Sequence, residues 1–147
     1  MADARTTRGD ATPARLYATL VGATLLIAGI IGFFYSASFG DPGKVDEVFG
    51  LLAVNAWHNI VHILTGVLGL LAVGYAARTY ALALGLLYCV VALLGFIDFG
   101  SGDLNDTILQ IIPVNTEDNF LHLALGILGL AAGAATPKAV SGRTAAA

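Results

Sequence analysis

Apolar positions along the chain gather into four long uncharged runs, and the polar residues between them are few and clustered. From Leu16 to Gly40 no charge interrupts 25 residues. That is longer than the roughly 7–15 apolar residues of a secretory signal, and it exceeds the ~20 residues that cross about 30 Å of hydrocarbon. The pattern predicts spans over about 16–35, 54–75, 79–97 and 119–135. Residues 36–53 and 98–118 read as loops. The first carries a Gly-Asp-Pro-Gly turn signal and one amphipathic turn, and the second is broken by Gly, Asn and Pro113. Residues 1–14 and 136–147 are polar and Ala-rich and read as disordered tails around a membrane domain over 15–135.

The second and fourth runs are copies of one another. Val54 to Ala72, VNAWHNIVHILTGVLGLLA, returns as Val114 to Ala132, VNTEDNFLHLALGILGLAA, with nine of nineteen aligned positions identical. The first and third runs match at an offset of 63, in Tyr17/Tyr80, Ala18/Ala81, Gly22/Gly85, Gly32/Gly95 and Phe33/Phe96. Two helix–loop–helix units result. Each crosses the membrane twice, so both start from the same side, and their approximate two-fold axis lies along the membrane normal, unlike inverted-repeat transporters. The expected fold is all-α: an integral membrane four-helix bundle made of two tandem parallel hairpins.

Charge adds an orientation. Arg5, Arg8, Arg15, Arg78, Lys138 and Arg143 fall on the side of the termini and the short middle loop, and Lys44 alone falls on the other. The positive-inside rule then places both termini in the cytoplasm of a plasma-membrane protein. Eight of the ten acids (Asp41, Asp46, Glu47, Asp98, Asp103, Asp106, Glu117 and Asp118) lie on the outer side and make that face negative. Composition agrees, with 57% hydrophobic and 12% charged residues against roughly 45–50% and 25% in soluble domains. Cys89 is the one cysteine, so neither an intramolecular disulfide nor a cysteine metal motif exists. Nothing here offers a basic patch for nucleic acid, a phosphate-binding glycine loop or a nucleophile in an elbow motif.

The polar residues inside the second and fourth spans are the candidate chemistry. Asn, Asn, His, Gly and Gly recur at 55, 59, 62, 66, 69 and at 115, 119, 122, 126, 129, a spacing that lines one helical face. The first reading is packing. Asn55, Asn59, His62, Asn115, Asn119 and His122 form a polar seam whose first asparagines cap their helices, and hydrogen bonds across membrane helices are worth about 0.6–2 kcal/mol each. Gly66, Gly69, Gly126, Gly129 and Gly133 are close-approach positions, the last two a small-xxx-small pair. The second reading is a metal site. His58 and Asp118 are equivalent positions, giving His-x-x-x-His and Asp-x-x-x-His, the i, i+4 spacing with which one helix grips an ion. His58, His62, Asp118 and His122 would then form a nitrogen and oxygen cage for zinc, iron, copper or manganese. A haem between His62 and His122 is a third version without other supporting features. Trp57, Tyr35, Phe99 and Phe120 belong to an interfacial aromatic belt, and Asp98 to a helix end.

The string N-x-x-H-N-x-x-H-x-x-x-G-x-x-G-L from Asn55 to Leu70, echoed as N-x-x-x-N-x-x-H-x-x-x-G-x-x-G-L from Asn115 to Leu130, resembles the bacterial four-span membrane proteins of domain-of-unknown-function family 4383. The resemblance covers about residues 15–135 and implies a four-helix inner-membrane protein without an established activity. The sequence therefore leads to a small integral plasma-membrane protein, foremost a non-enzymatic structural or partner subunit within the bilayer, in a homo-oligomer or larger complex. The alternative is a metal- or haem-binding protein using His58, His62, Asp118 and His122.

Overall fold

The computed structural model describes residues 11–40, 45–98, 107–109 and 111–138. Among them run four helices, α1 (Pro13–Gly32), α2 (Ala56–Ala72), α3 (Ala77–Asp98) and α4 (Thr116–Ala135). Two small antiparallel hairpins accompany them, β1 (Asp46–Val48) with β2 (Leu52–Val54), and β3 (Thr107–Ile108) with β4 (Ile112–Pro113). α1, α3 and α4 are long and apolar enough to cross a membrane, which marks the chain as a membrane protein. α2 is apolar but only 17 residues long, about 25 Å at ~1.5 Å per residue. The sequence-predicted tails fall mostly in residues 1–10 and 139–147, outside the described residues, as do Phe99, Lys44 and Asp41.

Local chemistry fixes where the helices start. Thr12 accepts the Arg15 N–H at 3.3 Å with Pro13 in the first helical position, where a missing N–H costs nothing. Asn55 accepts the His58 N–H at 2.9 Å. Asn115 accepts the Asp118 N–H at 2.9 Å and Asp118 accepts the Asn115 N–H at 3.1 Å, a reciprocal capping box. The hairpins stand where the sequence suggests plain loops. Their strands have only two or three residues, too few for a period-two pattern to register, and each tip carries a residue in left-handed backbone, Phe49 at φ 56° and Leu109 at φ 54°.

Packing follows the glycines. α1 lies along α2, and α3 along α4, in extensive contact. A Cβ on Gly66 would sit 2.6 Å from the Gly22 carbonyl oxygen, and one on Gly126 3.0 Å from that of Gly85, so backbones touch where only hydrogen fits. Gly66 and Gly126 thus face the partner helix of their own half, while Gly69 meets Tyr80 of α3 and Gly129 meets Tyr17 of α1, so the two seams do not zip together along their length. The centre of the bundle is built by α1 and α3. Ala14, Tyr17, Ala18, Val21 and Leu25 meet Ala77, Ala81, Leu84 and Tyr88, positions related by the same offset of 63. The tyrosines cross between hairpins: Tyr17 donates to the Leu125 carbonyl at 2.9 Å and Tyr80 to the Thr65 carbonyl at 3.1 Å.

Large apolar side chains such as Leu16, Leu20, Ile27, Leu64, Leu68, Leu86, Leu93 and Ile127 point outward, while Asn55, Asn59, His58 and Asn119 are buried. Polar inside and apolar outside is the distribution that lipid as solvent demands. At one end the start of α1, the α2–α3 turn and the end of α4 meet. There Ala14 N–H donates to Thr136 Oγ1 at 2.9 Å and Arg78 Nε to the Thr136 carbonyl at 3.0 Å. At the other end, rings of Phe39 and Trp57, and of Phe96 and Phe120, pack edge to face at 5.1 Å.

Candidate functional site

The end of the bundle where α2 and α4 begin is tied together by its polar residues. Each capping asparagine reaches over to the hairpin of the other half: Asn55 Nδ2 donates to the Ile111 carbonyl at 2.6 Å, and Asn115 Nδ2 to the Leu51 carbonyl at 2.7 Å. Asn59 Nδ2 donates to the Ser36 carbonyl at 2.9 Å. Asn59 Oδ1 and Asn119 Oδ1 press against Gly32 and Gly95, where a Cβ would collide with them. The asparagines therefore clamp backbone.

Asp118 belongs to the same clamp. Its Oδ2 accepts the Ala53 N–H at 2.9 Å in addition to its own cap. The position equivalent to Ala53 in the second half is Pro113, which has no N–H to give. A carboxylate at position 58 would find no such donor there. His58 stands at that place instead, and its Nδ1 lies 2.8 Å from the Ala53 carbonyl.

That contact sets the chemistry of the ring. A carbonyl can only accept, so Nδ1 carries the hydrogen and the neutral imidazole keeps its lone pair on Nε2. His58 Nε2 points at His62 Nε2, 3.1 Å away, and one ring nitrogen of each of His58, His62 and His122 lies within 4.8 Å of the others. Four-coordinate bonds of about 2.0–2.1 Å would set nitrogens roughly 3.3 Å apart, so small side-chain rotations bring three donors onto one ion. A backbone carbonyl on the far nitrogen is the arrangement that orients metal-bound histidines. His122 Nδ1 is buried without a hydrogen-bond partner among the described residues, a position that costs about 1–3 kcal/mol. A cation ligated there would supply the missing partner.

Of the four expected ligands, three come together and Asp118 is turned to backbone N–H groups. The seam glycines go elsewhere: Gly66 and Gly126 face α1 and α3, Gly69 and Gly129 face Tyr80 and Tyr17, and Gly133 faces Leu82. Beside the histidines opens a cavity of about 190 Å³, walled by Val61, Leu87, Tyr88, Val91, Ile108 and Leu109 among others. A space below the roughly 300–1,000 Å³ of drug-sized sites suits an ion with a small co-ligand and has no room for a haem macrocycle. The Tyr88 ring packs 4.8 Å from that of His122. Sequence reasoning missed Tyr88, although it replaces Leu25 at the offset of 63, and an aromatic for an aliphatic inside a repeat is a signal that could have found it.

A sequence model for a family described only as a domain of unknown function, DUF4383, matches residues 15–135. No curated protein and no solved structure matches.

Proposed function

The chain belongs to the DUF4383 family, and on that footing we propose that it is a small multi-pass membrane protein whose three histidines bind a first-row transition metal. The observation that carries this reading is the His58 ring: its Nδ1–H is spent on the Ala53 carbonyl, which leaves the Nε2 lone pair facing His62 in a cluster completed by His122. Three neutral nitrogen donors without sulfur suit zinc, copper or iron. Three protein ligands leave a coordination position open, as in catalytic and transport sites rather than closed structural ones. In the topology we infer, all four helices insert, both termini are cytoplasmic, and the centre lies near the outer face among the acidic residues. Metal handling or redox chemistry at that face is the role that follows.

A second reading, a structural or partner subunit, draws on a separate observation. Asn55, Asn115, Asn59 and Asp118 each hydrogen-bond to backbone of another element, so the rest of the seam holds helices in register. The two readings are compatible, with the asparagines building the cradle and the histidines filling it.

The test is protein purified in mild detergent without a polyhistidine tag, analysed for metals by mass spectrometry and by its visible spectrum. Stoichiometric metal in the wild type, lost in His62→Ala/His122→Ala and retained in Asp118→Asn, is expected. Wild-type protein that neither carries metal nor takes it up on addition of zinc, copper or iron salts would overturn the proposal.

A further inference from the structure

We infer that the open position of this centre takes a small uncharged ring molecule with one donor oxygen, of the phenol or quinol class, which reaches it sideways from the bilayer. The inference rests on the metal reading and adds the ligand. Three features of the cavity support it.

The first is size. At about 190 Å³ the space is far larger than a water or a diatomic gas needs, and comparable to the roughly 150 Å³ apolar cavity that takes benzene. The second is wall chemistry. Beside the three histidines the lining is apolar, Val61, Leu87, Val91, Ile108 and Leu109 among it, with the Tyr88 ring. A charged molecule would be stripped of water there without compensation. A body with an apolar face and one lone-pair donor aimed at the metal matches both ends, and the adjoining His122 and Tyr88 rings favour a flat aromatic partner.

The third feature is the route. Leu87 is 53% exposed, Val61 41% and Leu109 80%, so the rim of the cavity lies on the same outward apolar surface as the leucines that face lipid. α2 and α3 touch far less than either touches its hairpin partner, so among the described residues the side of the bundle between them, where the cavity lies, is loosely packed. A molecule dissolved in the bilayer meets the histidines without crossing water.

The experiment uses full-length protein loaded with cobalt(II), whose visible bands report the fourth ligand, and 4-fluorophenol as the probe, with glycerol and acetate as polar controls of small size. A saturable change of the cobalt bands with 4-fluorophenol and none with the controls is expected. Leu87→Trp and Val91→Trp, which fill the cavity and leave the three histidines in place, should keep the cobalt and weaken the response by about tenfold or more. Cobalt bound with no response to 4-fluorophenol, or a response unchanged in both tryptophan variants, would overturn the inference while leaving the metal reading standing. If no cobalt binds, the metal reading fails, and the cavity is judged on metal-free protein by the fluorine NMR signal of 4-fluorophenol. Broadening lost in the tryptophan variants would support a lateral ring site, and no broadening in the wild type would overturn it.

Discussion

The carboxylate of Asp118 and the backbone N–H of Ala53 meet at 2.9 Å across the two halves of the chain. With the Asn115 N–H at 3.1 Å on the same oxygen, this side chain is committed to holding the start of α4 against the first hairpin. Asp118→Ala would leave two buried donors without an acceptor, at about 1–3 kcal/mol each, and should lower the thermal midpoint in detergent by several degrees. Asp118→Asn keeps an acceptor oxygen and should stay within a few degrees of the wild type. Loss of metal in Asp118→Asn with the fold intact would put the residue back among the ligands.

Gly32 and Gly95 face the amide oxygens of Asn59 and Asn119 with no space for a methyl group. Gly32→Ala and Gly95→Ala should each destabilise by about 1–3 kcal/mol, the usual size of an overpacking penalty. Gly74, where a Cβ would meet nothing within 4 Å, is the control: Gly74→Ala should be neutral or stabilise by a few tenths of a kcal/mol. Equal thermal midpoints for all three variants would contradict the close packing described above.

The crossing tyrosines give a symmetric pair of tests. Tyr17→Phe removes the bond to the Leu125 carbonyl and Tyr80→Phe the bond to the Thr65 carbonyl, each worth about 0.5–1.5 kcal/mol. Because the two rings lie 6.5 Å apart, the double variant should depart from the sum of the singles, since groups closer than about 7–10 Å couple. Differential scanning calorimetry of the four proteins would measure both effects.

Metal binding should appear as stability. A ligand that binds the folded chain at a hundred times its dissociation constant adds about 2.7 kcal/mol, so zinc should raise the thermal midpoint of the wild type and a chelator should reverse the rise. His58→Ala should abolish the zinc effect, and Asn59→Ala should lower the starting stability and keep it. A zinc shift that survives all three single histidine-to-alanine changes would place the ion elsewhere.

Hydrophobic run length and the duplicated string Asn55 to Leu70 were enough to read four apolar helices and the family, because lipid imposes long uncharged stretches whatever the tertiary contacts. The spacing of His58 and His62 put two ring nitrogens on one helical face for the same reason: an α-helix has a fixed period. The hairpins were hidden because strands of two or three residues carry no periodic signal, and only their contacts with Asn55 and Asn115 give them a role. Which helices meet at the centre was also beyond the pattern. α1 and α3 take that place through Ala14, Ala18, Ala77 and Ala81, whose small side chains let the helices meet, while Gly66 and Gly126 dock within their own halves and Gly69 and Gly129 receive the tyrosines of the other half. The repeat offered Asp118 as the counterpart of His58. The fold separated them, because Ala53 has an N–H for a carboxylate and Pro113 has none, and a backbone donor on a neighbouring strand can be known only from the tertiary structure.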